Sequence, residues 1–420
     1  MSSPSSPALP PKGSIITSIR TSCSETRVSA NIQVDEESIK TLLQSRIFKS
    51  TFKHLRLAHG LAMPLQFPSI TSEVNLISLL SILNFAHGYR VPLKKATGRG
   101  AYDTIRVLLF GMYLSHDDEG LMSAKGLKNI SKAKVAELMN LTNYIHLERP
   151  HPSIPGLTIG ELGGLLYELV DLVTGVLNQT GEILVNAGYS DLGEFVIAAL
   201  RKGQKDEQPG VSDAEVVLDE IIRTFPAFQD VGTFEGKPIY IFKKALFLLH
   251  ALVLRFGQEG DRRIPLPDTD ELPIFSDNVI PSMLVHFGVL DLSATTVPTL
   301  RDAFQPVAVT ANLDYDPTTS KGSDEIKGKE EGSKGSDGYQ QMAVGPQLSE
   351  QEAYVLRAAA IDACEMIVRM AKVLDVTGED VWVQSLTLPE LDGWLWSVAK
   401  EGRLRRDLSR FRQGGRCVMY

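Results

Sequence analysis

Apolar residues recur along this 420-residue chain at helical rather than strand spacing. Leu162, Leu165, Leu166, Leu169, Val170, Val173, Val176 and Leu177 follow the i, i+3, i+4, i+7 rule, which predicts one strongly amphipathic helix. Helical patterning begins at Glu36. Asp213 to Arg223 predicts a second helix with Asp213 as its N-cap, and Lys243 to Phe256 a mostly buried one. Pro281 to Leu290 predicts another. A stripe of Ala360, Cys364, Ile367, Met370, Ala371 and Leu374 marks one more. Strand signals are few: Ile15 to Ile19, and Gly236 to Phe242, where Lys237, Ile239 and Ile241 alternate with Pro238, Tyr240 and Phe242. No repeat of fixed period is present. The expected fold class is mainly α, a single compact helical body with few short strands.

Two stretches fall outside this pattern. Residues 1–35 open Ser/Pro-rich and read as a disordered lead to a helical domain spanning 36–420. Residues 313–347 include TTSKGSDEIKGKEEGSKGSDG, almost without apolar side chains. Burial cannot offset the ordering entropy of such a stretch, so it is expected to be a disordered surface insertion rather than a domain boundary.

Composition narrows the function classes. Apolar residues make up 43% and charged residues 22%, enough for a sizeable core. Forty-three basic against 51 acidic residues leave a net charge of −8, which argues against a bulk grip on nucleic acid or an anionic membrane. A small anion held by a few local cations stays open. Cys23, Cys364 and Cys417 lie far apart, offer no disulfide framework and fit a cytoplasmic location. The best apolar run, Ala245 to Leu254, is far shorter than the roughly 20 residues a membrane helix needs. The N-terminus lacks the basic-then-apolar order of a secretory signal.

No phosphate-loop, Gly-x-Ser-x-Gly or His-Glu-x-x-His motif occurs. His146, Glu148 and His151 share a Pro-rich loop, but a loop cluster without cysteine more often binds nothing, and no metal is expected. Phe275-Ser276-Asp277 precedes a helix with Pro281 in its first turn, a place where proline costs no hydrogen bond. Asp277 is there either a plain N-cap or a fixed, ionised carboxylate at the positive end of the helix dipole. The stretch from Lys94 to Arg106 sets Gly98 and Gly100 among several cations ahead of a helix. It reads either as a tight turn with solvated charges or as an anion site, with Arg99, Gly100 and Arg106 holding a phosphate. Asp103 is an alternative partner for either arginine.

A set of motifs in order along the chain carries a resemblance. It comprises Asn178-Gln-Thr-Gly181, the block from Phe225 through Glu235-Gly236-Lys237, Lys243-Lys244-Ala245, Phe275-Ser-Asp277 with Pro281 and His286-Phe-Gly288, Leu391-Asp392-x-x-Leu395-Trp396, and Arg416-Cys-x-x-Tyr420. Together they resemble the queuosine salvage family over roughly residues 37–420. The resemblance implies an all-helical fold, shaped like the DNA glycosylases, that hydrolyses the ribosyl–base bond of queuosine 5′-phosphate to release queuine for tRNA modification. It implies Asp277 as the catalytic aspartate, stabilising an oxocarbenium-like transition state and guiding water to C1′. Phe275, His87, Tyr89, Asp392, Trp394, Trp396 and Lys244 are then the expected substrate contacts. No cofactor is implied, and the expected partner is a small nucleotide rather than nucleic acid or membrane.

Three departures from the family pattern matter. Ala86-His87-Gly88-Tyr89 stands where Ser-Phe-Trp is typical. Gly100-Ala101-Tyr102-Asp103-Thr104 replaces Gly-Tyr-Trp-Ser. Asn278-Val279 follows the aspartate in place of Tyr-Arg. They motivate two alternatives: the same chemistry on another modified nucleotide, or a non-catalytic nucleotide-binding paralogue. A catalytic reading expects Asp277, an aromatic and the 98–106 turn to line one pocket.

Overall fold

The computed structural model describes residues 7–56, 65–115, 120–205, 211–257, 263–304 and 345–419. Among these residues it is mainly helical, with strands only in two-stranded pairs. Most of the insertion expected at 313–347 lies outside the described residues.

The longest helix, Glu350–Val373, starts with a capping box, Ser349 and Glu352 each satisfying the other's backbone N–H. Nearly every residue from Ala353 to Cys364 is buried, because other elements cover this helix on all sides. The helix Ile15–Ser29 packs along it. Here the sequence reading is corrected twice, since Ile15–Ile19 is helical and the supposed lead is folded from Ile15 onward. Ile15, Ile19, Cys23 and Thr26 form a narrow stripe at helical spacing, and the Ser- and Thr-rich remainder hides it. Arg20–Glu365 (2.7 Å) and Arg27–Asp362 (2.5 Å) pair the two helices. Glu215 accepts the Ile15 and Ile16 N–H groups, doing the work of a cap that Ser14 leaves undone.

Other elements match the periodicity with shifted ends. The long amphipathic helix runs Leu165–Ala187, and Lys243–Phe256 is as expected. Asp213–Thr224 is capped by the Ser212 hydroxyl, so Asp213 is its first residue rather than its cap. Strands Val231–Phe234 and Lys237–Tyr240 form a hairpin turning on Glu235 and Gly236, both left-handed at φ 50° and 78°. The hairpin lies flat on the longest helix, where a Cβ at Gly232 would enter the Tyr354 ring.

Three further features position the site. The helix Ile70–Ile82 is buried from Glu73 to its end and delivers residues 84–90 to the interior. The helix Leu388–Val398 packs on Val279–His286. Beyond it, Gln347–Leu348 pairs in parallel with Arg412–Gln413, while Asn278 Nδ2 donates to the Phe411 carbonyl (2.9 Å). That strap fixes Arg410 next to the 274–278 loop. His146 and Glu148 lie on an exposed hairpin strand, and among the described residues no group of three His, Cys, Asp or Glu is arranged to hold a metal.

Candidate active site

The loop carrying Asp277 is clamped on both sides. Arg357, fully buried, donates to the Ser276 carbonyl (2.9 Å) and forks onto both Asp230 oxygens (3.0 and 2.5 Å). The Phe275 N–H donates to Asp392 Oδ1 (2.9 Å). Asp277 is 2% exposed. Its Oδ1 accepts from the N–H groups of Val279 (2.6 Å) and Ile280 (3.4 Å), so it caps the helix Val279–His286. Its Oδ2 lies 3.8 Å from His87 Nδ1.

The electrostatics fix the charge states. Burial raises the Asp277 pKa, but His87, Lys243 and the two N–H groups outweigh it and hold the carboxyl below its ordinary value. Burial and the neighbouring Lys243 take His87 down to about 3, so its imidazole is neutral at physiological pH. Stabilisation of the Asp277 charge at that pH therefore rests on Lys243 and the backbone. Lys243 Nζ donates to the Asn84 carbonyl (3.0 Å) and Oδ1 (3.3 Å), and burial takes it to about 8. Asp392 goes the other way: burial and then the like charge of Asp277 push it well above the carboxylate range. Two neighbouring carboxyls with opposed shifts form an acid and a base of separate character.

A cleft of about 600 Å³ adjoins this cluster. Its lining includes Arg90, Lys94, Arg99, Arg106, Lys400, Arg405 and Arg410, against Asp103 as the one carboxylate. Arg106 stands 3.8 Å from Asp103, and Lys94 donates to the Gly98 carbonyl (2.5 Å). Arg90, Lys400, Arg405 and Arg410 repel one another, while the Arg410 guanidinium also donates to the Ala399 carbonyl (2.6 Å). Burial and then Arg410 lower Lys400 to about 7, while burial, Arg90 and Arg405 lower Arg410 to about 10. The Asp277 charge raises both. An anion in this cleft relieves that repulsion. The helix Ala101–Leu114 also begins here, at Gly100, with no side chain capping its first N–H groups.

The structure therefore gathers Arg99, Gly100 and Arg106 in one cleft and His87 and Asp392 beside Asp277. Asp277 is not itself part of the cleft lining, and its link to the cleft runs through the field it exerts on Lys400 and Arg410. Trp396, half-buried, lies under Lys400 and meets Tyr102 edge-on (5.8 Å). Other expected contacts sit elsewhere. Trp394 is fully buried, donates to Thr51 Oγ1 (2.8 Å) and packs against Phe48 and Phe287, which leaves its ring no open face. Phe275 packs among Phe247 and His250, and only its backbone serves the loop. Tyr89 donates its hydroxyl to Glu168. Lys244 Nζ donates to the Ile82 (3.1 Å) and Val418 (2.5 Å) carbonyls, tying two chain segments together. Sequence reasoning missed Asn84, Lys243, Arg90, Lys400, Arg405 and Arg410. The only local signal among them is Lys243 beside Lys244, two lysines opening an otherwise apolar helix.

Comparison with known proteins agrees in one direction. The family model described as queuosine salvage protein matches residues 169–305. A queuosine 5′-phosphate N-glycosylase/hydrolase from Bos taurus is 23% identical over 274 residues, 63% of this chain and 70% of that protein. The protein of the same description from Sphaerobacter thermophilus is 28% identical over 122 residues, 29% of this chain and 34% of that one. That from Mus musculus is 28% identical over 118 residues, 28% and 31% respectively. The match spans about a third of the length of the Sphaerobacter and mouse relatives.

Proposed function

We propose that the chain, whose residues 169–305 match the queuosine salvage family model, hydrolyses the ribosyl–base bond of queuosine 5′-phosphate and releases queuine. The observation that carries this reading is the placement of a buried Asp277, held below its ordinary pKa, whose charge acts on Lys400 and Arg410, two walls of a cleft lined by cations. The 5′-phosphate lies in the cleft against Arg99, Arg405 and Arg410, and the sugar reaches past Lys400 toward Asp277.

The chemistry follows from the charges. As the C1′–N bond lengthens, its electron pair goes to the base and positive charge builds on the sugar. Asp277 opposes that charge from a site where it needs no reorganisation, since the backbone N–H groups already hold it. A 7-deazaguanine base offers no ring nitrogen at position 7 for protonation. Asp392, pushed toward its neutral form, supplies a donor to the departing base, and Trp396 a flat surface near the mouth. Three dispersed thiols suit a cytosolic setting for such a salvage enzyme.

The test is incubation of the pure protein with queuosine 5′-monophosphate and detection of free queuine by mass spectrometry. Asp277→Asn keeps the capping oxygen and should fold normally while losing about 10²-fold or more in turnover. Removing the phosphate from the substrate should raise KM far more than it changes kcat. A preference for another modified nucleotide across a panel moves the assignment to that substrate. Nucleotide binding with no base release replaces it with the non-catalytic reading.

A further inference from the structure

We propose that His87 is a catalytic residue of this site, its Nδ1 and Asp277 Oδ2 together accepting the two hydrogens of the attacking water. The inference rests on the hydrolytic reading above and assigns the nucleophile's position within it.

Four observations converge on this placement. His87 Nδ1 is buried and hydrogen-bonds no protein atom, although the imidazole is only 13% exposed. Buried polar atoms are nearly always paired, so such an atom points to a ligand. Asp277 Oδ2 is 3.8 Å away, too far for a direct hydrogen bond. Two acceptors that share one water at about 2.8 Å each stand about 4–4.5 Å apart, a spread that a small side-chain adjustment supplies. The other Asp277 oxygen is engaged by the backbone, so Oδ2 is the one available to a water.

The backbone pays for this geometry. Ala86, directly before His87, has φ 85° with its methyl buried, a left-handed conformation costly for any residue but glycine. Strain of that kind persists only where the surroundings hold it. Here the Ala86 carbonyl accepts the Tyr89 N–H (2.9 Å), and the turn His87–Tyr89 aims the imidazole inward. Neutral His87 with its Nδ1 lone pair facing the water is an acceptor, as Asp277 is. With both hydrogens taken, a lone pair of the water oxygen is directed at the sugar.

The water oxygen bonds to C1′ as the C1′–N pair passes to the base. One water hydrogen stays on the new hydroxyl, the other moves to Asp277 and from there to solvent, while Asp392 hands the departing base its proton and regains one from solvent.

His87→Ala should fold with a nearly unchanged melting temperature, keep KM for the nucleotide within about threefold, and lose about 10²-fold in kcat. Added imidazole should restore at least tenfold of that loss, a rescue that a packing role would not give. His87→Asn, whose amide oxygen lies near the Nδ1 position, should stay within about tenfold of wild type, and it decides the matter should the alanine variant unfold. Undiminished kcat in His87→Ala overturns the assignment, as does a loss that neither imidazole nor asparagine repairs. Wild-type release of base is measured first: its absence sinks the hydrolytic reading itself, whereas its presence with an indifferent His87 sinks only this role.

Discussion

Single residues here carry charge states that their surroundings dictate. Lys244 is fully buried, and burial takes its ammonium down to about 7. An unfolded lysine keeps its proton to about 10.4. Between those values the unfolded chain binds one proton more than the folded one, so this residue makes stability rise with pH across that window. Lys244→Met removes the titration. Thermal melts at about pH 6 and about pH 9 should show the difference between wild type and variant moving in favour of wild type at the higher pH; a constant difference contradicts the assignment. The place of Asp277 at a helix start was legible in the sequence because it is local, a carboxylate one turn ahead of a proline. Lys400 and Arg410 were not, since nothing around either distinguishes it from a solvated cation. Only the strap that seats Phe411 on Asn278 brings Arg410 to the cleft. Trp394 misled for the opposite reason: an aromatic next to a motif residue on a helix points away from it, here into Phe48 and Phe287.

At the scale of elements, periodicity read the buried helices well and the weak ones badly. Lys243–Phe256 is apolar enough to declare itself, whereas Ile15–Ser29 shows one buried residue per turn amid hydroxyls and borrows its cap from Glu215. Close approach between elements was equally hidden. Gly181 of Leu165–Ala187 rests on the backbone of Ala124–Asn129, where an added Cβ would come within 2.6 Å of the Ala124 carbonyl oxygen. Backbone cannot rotate aside as a side chain does, so Gly181→Ala must push the two helices apart. The expected cost is about 1–3 kcal/mol, seen as a lowered urea midpoint. Gly188, at the end of the same helix, has a left-handed φ of 80° and open space around it, so its role is to stop the helix rather than to admit a neighbour.

For the molecule as a whole, the candidate site is a meeting of distant stretches: 84–106, 243, 277 and 392–410. Pairwise periodicity cannot forecast such a junction, which depends on how the helices stack around Glu350–Val373. The buried Arg357–Asp230 pair links that helix to both the Asp277 loop and the hairpin at 231–240. Removing one member leaves a bare charge inside the protein, so Arg357→Met should cost about 3–5 kcal/mol and melt the body as a unit rather than dim the chemistry alone.

The strap that seats Arg410 is joined to the rest by a two-residue parallel pairing, a few side-chain bonds and the buried side chains of Leu408 and Phe411. Segments held so lightly open well before the interior does. In a denaturant titration, catalysis should fade while circular dichroism still reports intact helices, and inorganic phosphate should delay the first event more than the second. Loss of function in this protein would then begin as a detachment, reversible on dilution, and not as collapse of its framework.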